Sequence, residues 1–330
     1  SEADLARLAK ARATNTDWMD LMTQTGFLQE HSVSVSGGSD KTRFFVSGSY
    51  LTQQGVLRKS SLDRYSTRFN LDHKAAKWLD LGLKATVGYS KTNFADPESG
   101  AGRQNWGNPW FTTLLAYPYE SADDWYNVDN PTLITKYYDR ETGRLKTVGS
   151  LYAKASITDW LSVKTNFGLD FMYNRNVSTL HRDHPSAQQN HGYYGQTASE
   201  LFRYTWTNTV NVNKEFANGH SLNAVAGMEM FQGKWYTSNF TGYDLNADMM
   251  QSPAGIGDKT GSSLFPPSIG GGCTMSNLLS FFAQGSYSIK NRYNLSASLR
   301  HDTSSKFYED NASATFWSVG ATWLISSESW

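Results

Sequence analysis

The chain has 330 residues, of which 18% are charged and 14% are aromatic, and its formal net charge is +0. The balanced charge and the lack of a long basic block argue against nucleic acid as a partner. No run of about 18 apolar residues occurs, so a transmembrane helix is excluded. Strands in which every second residue is polar still remain able to cross a bilayer.

The first predicted element is a short helix at residues 3–13, inside a helical and loop lead-in at residues 1–28. Strands follow it, and the clearest lies within residues 78–93. There, the odd positions from Leu79 to Tyr89 are apolar, and the even positions are polar or small. This period of two predicts a strand with one apolar face and one polar face.

The same alternation predicts eleven strands in all. They lie at about residues 29–36, 42–53, 62–74, 78–92, 148–158, 161–177, 197–215, 220–236, 277–290, 292–303 and 314–326. Several are longer than the roughly 3 to 10 residues usual in soluble proteins, which favours strands that project beyond a membrane.

The connections between these strands alternate strictly between short and long. The short ones are residues 37–41, 74–77, 158–160, 216–219 and 290–292, and the long ones are residues 54–61, 93–147, 178–196, 237–276 and 304–313. Periplasmic turns and extracellular loops alternate in this way in bacterial outer-membrane β-barrels. The pattern therefore predicts an all-β, antiparallel, integral outer-membrane barrel segment at residues 29–330. A soluble sandwich, whose apolar faces pack on a second sheet, stays open as an alternative.

An odd number of strands is unusual for such a barrel. Single-chain bacterial barrels close with even numbers, and an open edge cannot stand in lipid. We therefore expect this chain to supply only part of a barrel, with further strands before it, after it or on both sides.

Two blocks of sequence resemble one known family. The first comprises NTDWMDLM (15–22), HSVSVSGGSDKTRFFVSGSYLTQQGVL (31–57), DRYSTRFNLD (63–72) and WLDLGLKATVGYS (78–90). The second is LSASLRHDTSSKFYEDNASATFWSVGATWLISSESW (295–330), with Trp317 where the family more often has proline. Both are similar to the SusC-type, RagA-like TonB-dependent transporters of Bacteroidetes outer membranes.

The resemblance implies a barrel of about 22 strands around a plugged lumen, of which this chain would form about half. It implies import of oligosaccharides or oligopeptides, not an enzyme and without a cofactor. The implied partners are a SusD-like surface lipoprotein, TonB through a plug region that the chain does not contain, the rest of the barrel, and lipid or lipopolysaccharide. The lead-in would then lie on the extracellular side. A passive porin, an outer-membrane enzyme and a soluble β-rich adhesin or lectin remain alternatives.

Aromatic residues in the predicted loops are the candidates for contact with substrate or lipoprotein lid, because flat rings stack on sugars and anchor interfaces. They are Trp106, Trp110, Trp125, Tyr126, Tyr137, Tyr138, Tyr193, Tyr194 and Trp235. The alternative is that they pack the loops together or ring the membrane interface.

Charged residues on the polar strand faces are predicted to point into the lumen, where they would contact a plug or water. They are Arg64, Arg68, Lys154, Lys164, Asp170 and Arg203. No catalytic residue is predicted. No metal site is predicted either, because neither His181, Asp183, His184 and His191 nor the series Asp244, Asn246 and Asp248 matches a metal motif. Cys273 is expected in a glycine-rich loop without a disulfide partner.

Overall fold

The computed structural model describes residues 1–94, 109–123, 130–246, 249, 251–257, 265–308 and 311–328. Its helices and strands are α1 (Glu2–Ala13), α2 (Trp18–Met22), β1 (Phe27–Gly38), β2 (Thr42–Gln54), β3 (Ser61–Ala76), β4 (Leu79–Phe94), α3 (Pro109–Leu115), α4 (Pro131–Tyr137), β5 (Tyr138–Ser156), β6 (Leu161–Leu180), β7 (Tyr193–Phe216), β8 (His220–Tyr243), β9 (Ser268–Ile289), β10 (Tyr293–Ser304) and β11 (Ser313–Trp323). None of the helices in these ranges is long and apolar enough to span a bilayer.

The strands form a single antiparallel sheet in chain order, from β1 to β11. Each strand pairs with its sequence neighbours, so the topology is up-and-down throughout. Within the described ranges, β1 pairs only with β2 and β11 only with β10, which leaves the sheet open. The predicted eleven antiparallel strands and the incomplete barrel are confirmed.

The tight connections all lie at one end of the sheet, which we call the short-turn end. Lys290 and Asn291 between β9 and β10 have φ angles of 50° and 55°. Two successive positive φ angles are the mark of a type I′ hairpin turn, whose twist matches that of the strands. Asn218 and Gly219, with φ angles of 64° and 74°, reverse the chain between β7 and β8. The opposite end, which carries the long connections, is the long-loop end.

The register separates the residues into two faces. The row on one side is Phe44, Leu71, Leu83, Leu151, Phe167, Trp206, Met230 and Leu279. The adjacent row on the other side is Arg43, Asp72, Gly82, Tyr152, Asn166, Thr207, Glu229, Ser280 and Asp302. We call these the apolar face and the polar face, and they follow from the period of two along each strand.

Four strand boundaries at the long-loop end differ from prediction by four residues or more. β5 begins at Tyr138 instead of residue 148, β7 at Tyr193 instead of residue 197, and β9 at Ser268 instead of residue 277, while β8 ends at Tyr243 instead of residue 236. The predicted loops 93–147, 178–196 and 237–276 are wrong to that extent, and Cys273 is an exposed strand residue opposite Tyr236. The β5 extension is mostly polar on both faces and three successive glycines interrupt the β9 extension, so the alternation that marks a strand is broken there while the backbone ladder continues.

Part of the small core lies at the long-loop end, where the lead-in meets the connection between β4 and β5. Trp18 and Met22 of α2 are buried. The Trp18 indole N–H donates to the carbonyl of Tyr117 at 2.9 Å, and the Thr16 amide donates to the carbonyl of Pro118 at 2.7 Å. The lead-in is therefore fixed to a long connection of the sheet.

Candidate functional site

The register puts all six predicted lumen-facing residues on the polar face. Arg64 and Arg68 lie four residues apart on β3. Lys154 of β5 stands directly opposite Lys164 of β6, and Asp170 stands opposite Arg203 of β7. The strand geometry thus brings these charges onto one surface.

Lys164 and Asp170 differ in how they are held. The Lys164 ammonium lies 5.1 Å from the centre of the Tyr152 ring, a cation–π distance. The Tyr152 hydroxyl in turn donates to Asp72 Oδ1 at 2.8 Å. Asp170 Oδ1 is buried without a hydrogen-bond partner among the described residues, a condition that folded proteins rarely leave unsatisfied. Asp170 is therefore a polar-face group that would gain from a further contact.

A network that the sequence interpretation missed lies on the same face between β7 and β10. Arg300 Nε donates to Asp302 Oδ1 at 2.7 Å, and the Arg300 Nη2 group donates to Ser280 Oγ at 2.8 Å and Glu229 Oε1 at 3.4 Å. Thr207 donates to the second Glu229 oxygen at 3.2 Å. Ser280 is fully buried. The signal was available, since Arg300 and Asp302 belong to the second sequence block that carries the family resemblance.

The nine candidate aromatic residues divide by location. Trp106, Trp125 and Tyr126 lie outside the described residues. Tyr138, Tyr193, Tyr194 and Trp235 lie in strands β5, β7 and β8. For the first three the predicted placement in loops is wrong, whereas Trp235, although counted among the loop aromatics, falls at the end of the predicted strand 220–236. The longer strands at this end of the sheet explain the difference. Trp110 and Tyr137 lie in the helices α3 and α4 of the β4–β5 connection.

Some of these rings pack the long-loop end. Tyr194 is 0% exposed and stacks on Phe240 at 6.0 Å between ring centres. Tyr138 is 5% exposed, and the Tyr193 hydroxyl donates to its hydroxyl at 3.2 Å. Tyr137 lies 5.4 Å from the ring of His181. These contacts build a rigid rim.

Trp110 and Trp235 are the more accessible candidates. Their exposed fractions are 40% and 38%. Trp235 lies on the polar face of β8, in the register row of Leu201 and Met172. Trp110 lies on α3, next to the segment that holds α2. Both present large rings that a ligand or partner can reach.

The apolar face carries aromatic residues at two levels. At the short-turn end these include Trp160, Phe216, Tyr287, Tyr293 and Trp323, and nearer the long-loop end they include Tyr50, Tyr65, Tyr89 and Tyr173. Lys214 reaches over Trp160 at 4.8 Å. Aromatic levels at both edges of an apolar band are typical of the girdles of a membrane barrel, and here the band between them also contains aromatic residues such as Phe167 and Trp206.

A small cluster of polar side chains lies at the short-turn end, just after β11. Glu328 accepts hydrogen bonds from the Trp323 indole at 3.1 Å, the Tyr293 hydroxyl at 2.8 Å and Arg292 at 2.9 Å. The hydrogen bond from Trp323, followed by that from Tyr293, lowers the pKa of Glu328 below its ordinary value. The cluster fastens the chain end of β11 to the turn before β10.

The histidines in the connection between β6 and β7 form hydrogen bonds with different partners and do not converge on one point. His191 Nδ1 lies 2.8 Å from Asp244 Oδ1, and His184 Nδ1 lies 2.7 Å from Ser186 Oγ. Asp248 lies outside the described residues. Within the part of the chain that the structure describes, no three His, Cys, Asp or Glu side chains converge as metal ligands do.

An open antiparallel sheet of eleven strands, an apolar face with aromatic girdles, and alternating short and long connections define part of a transmembrane β-barrel. A family model for the TonB dependent receptor-like β-barrel matches residues 95–329, which is more than half of the chain. The chain therefore belongs to this family and is an outer-membrane protein.

Relatives agree with this assignment. The TonB-dependent receptor P26 of Formosa agariphila is 25% identical over 329 residues, covering 95% of this chain and 32% of the relative. The TonB-dependent receptor SusC of Bacteroides thetaiotaomicron is 23% identical over 349 residues, covering 95% and 33%. The sheet also matches a chain of the RagAB peptide transporter structure with a TM-score of 0.76 at 21% identity, covering 93% of this chain and 35% of that one. The chain spans about a third of the length of the curated relatives it matches, and the predicted likeness to SusC and RagA is confirmed.

Proposed function

We propose that the chain forms about half of the barrel wall of an outer-membrane importer that takes up oligosaccharides or oligopeptides with energy from TonB. The observation that carries this proposal is the separation of the two faces within an open sheet. The apolar face meets lipid, and the polar face lines a lumen wide enough for a plug. The RagAB peptide transporter, whose structure the sheet resembles, supports the peptide class, and the likeness to the SusC-type family implies the oligosaccharide class.

In this proposal the long-loop end is extracellular. The lead-in, residues 1–28, and the connection that carries α3 and α4 lie at the outer mouth. A SusD-like lipoprotein covers that mouth, and the accessible rings of Trp110 and Trp235 contact substrate or lid. The charges on the polar face, among them Arg68, Lys164 and Asp170, contact the plug or lumen water. No enzymatic step is assigned to the chain.

Energy-dependent uptake tests this function. The gene for the full-length protein is deleted in its own bacterium, and the uptake of fluorescent oligosaccharides and oligopeptides is followed with and without a protonophore. We expect uptake of one class to fall in the deletion strain and in protonophore-treated cells. Uptake that needs the protein but resists the protonophore would indicate a passive porin instead.

The aromatic contacts are tested in the same assay. The double substitution Trp110→Ala and Trp235→Ala should reduce uptake, because both rings are accessible. Trp206→Ala is the matched control, since Trp206 is as exposed as Trp110 but lies on the apolar face. Equal loss in the control would indicate damage to the barrel and not to a contact site.

A further inference from the structure

One part of the polar face carries an excess of positive charge. Arg64 and Arg68 of β3, Lys84 of β4, and Arg144 and Lys146 of β5 share this face, and all five side chains are exposed on the sheet. We call them the basic strip. Along β4 it begins at Lys84, near the middle of the apolar run, and ends opposite Ser90, just before the long-loop end.

Few acidic side chains pair with the cations of the basic strip. Arg64 lies 3.8 Å from Glu30. Among the described residues the other four cations have no ion pair, and Arg144 Nε donates to the neutral Asn174 at 2.8 Å. Asp170 and Asp72 are diagonal neighbours of Lys146 and Lys84 on the same face, but among the described residues neither forms an ion pair with the strip. The strip therefore keeps a net positive charge.

On the opposite face of the sheet, a lysine of β4 is paired with a carboxylate. Lys91 of β4 points to the other side of the sheet, where its ammonium lies 2.8 Å from Glu141 Oε2. The chain thus pairs a lysine at the outer level of the wall, whereas Lys84 and Lys146 of the polar face form no ion pair among the described residues. This contrast favours a role in binding over a purely structural one.

The residues between the cations have small side chains, and most of them carry a hydroxyl group. Ser66, Thr86, Gly88 and Ser90 occupy the polar-face positions between them. A Cβ built on Gly88 would meet only the Tyr65 carbonyl, at 3.7 Å, so the floor is open. Hydroxyl groups beside fixed cations suit a ligand rich in both hydroxyl groups and negative charge. One apolar side chain, Val148, lies opposite Thr86 on this floor.

We propose that the basic strip binds an anionic oligosaccharide, one that carries carboxylate or sulfate groups. The proposal rests on the importer function and names its substrate class. A concave wall of one sign of charge concentrates a ligand of opposite charge. Guanidinium groups pair with carboxylate or sulfate oxygens through two parallel hydrogen bonds. The strip then guides the sugar chain from the outer mouth down the wall.

Binding to the full-length, detergent-solubilised protein tests this. Isothermal titration compares three probes of equal length: hexagalacturonate, a heparin-derived hexasaccharide and the neutral maltohexaose. At least one anionic probe should bind, maltohexaose should not, and the affinity should fall as salt increases, because screening weakens exposed charge pairs. Equal binding of the neutral probe, or no binding of either anionic probe, would overturn the proposal.

The triple variant Lys84→Gln, Arg144→Gln and Lys146→Gln locates the contact. A charge pair at about 4 Å in water is worth about fivefold in affinity, so the loss of three should weaken binding roughly 100-fold. Lys91→Gln, on the same strand but the opposite face, is the matched control and should bind as the parent does. An unchanged affinity in the triple variant would overturn the proposal.

A docking site for an acidic surface of the plug is the competing explanation. In that case the triple variant would loosen the plug, which limited proteolysis detects, while every probe would bind as weakly to the parent as to the variant. That result would overturn anionic sugar binding and leave energy-dependent uptake intact. Loss of energy-dependent uptake of one substrate class in the deletion strain is a separate measurement, and it alone decides the importer function.

Discussion

Replacing Leu83 by arginine tests which face of the sheet meets lipid. Leu83 lies on the apolar face of β4, between Leu71 of β3 and Leu151 of β5. Its strand is apolar at alternate positions from Leu79 to Tyr89. At a rise of about 3.4 Å per residue and a tilt of about 40°, this run spans roughly 26 Å, close to the ~25 Å apolar band of such barrels.

The same geometry gives the expected magnitude. Leu83 lies about 10 Å above Leu79 along the membrane normal, which is close to the midplane. Arginine on the lipid face costs about 2–4 kcal/mol there. The folding equilibrium should therefore shift by roughly 30- to 700-fold, since each 1.4 kcal/mol is about a factor of ten.

The assay is equilibrium folding of the full-length protein into phosphatidylcholine vesicles, followed by tryptophan fluorescence across a guanidinium series. Leu83→Ala separates the loss of leucine from the burial of a charge. Asn166→Arg is the matched control, because Asn166 lies on the polar face next to Phe167, which shares the register row of Leu83, and should tolerate arginine. An equal free-energy change for Leu83→Arg and Asn166→Arg would refute the assignment of the two faces.

Three further predictions concern the polar network, a turn and the short-turn end. Arg300→Met leaves Asp302 and Glu229 without their counter-charge and should lower the free energy of unfolding by about 1–2 kcal/mol, given the partial exposure of the site; a guanidinium midpoint within error of the parent would contradict this. Gly219→Val places a branched side chain at a φ of 74° and should cost about 1–2 kcal/mol, whereas Gly219→Asn should cost less, because asparagine tolerates that region. For Glu328, the lowered pKa means that the ionised group stabilises the fold above about pH 4.3, and that this contribution is lost as the pH falls through the lower pKa of the folded protein. Glu328→Gln should therefore melt below the parent at pH 7, and the difference should narrow as the pH falls below about 4.3; a difference that does not change with pH would argue against an ionised Glu328.

The sheet was predictable where it crosses the membrane. Within the apolar band each strand must present one face to lipid, so alternation such as that around Leu83 marks both the strand and its facing. Beyond the band this constraint ends. The first ten residues of β5 and the Ser268–Ser276 part of β9 are strands without alternation, and their pairing with β6 and β8 is a tertiary effect.

The candidate site was predictable in part. The facing of residues such as Lys164 follows from the period of two, and the register reproduces it. The clustering of charges does not follow, because it depends on which residues of neighbouring strands stand opposite one another. Arg300 and Glu229 are 71 residues apart in sequence and meet only through the ladders of β8, β9 and β10. Likewise, no local sequence pattern predicts that α2 packs against the segment at Tyr117.

The two open edges of the sheet govern how this wall enters a membrane. β1 has 12 residues and β11 has 11. In an antiparallel edge strand every second residue turns its amide and carbonyl outward, so each edge offers roughly a dozen unpaired groups. Each would cost several kcal/mol in hydrocarbon, and the sum far exceeds the ~5–15 kcal/mol that stabilises a typical folded domain. A sheet with two open edges is therefore not stable in lipid by itself. Insertion and closure of the barrel must occur as one event, during which both edges stay paired or covered.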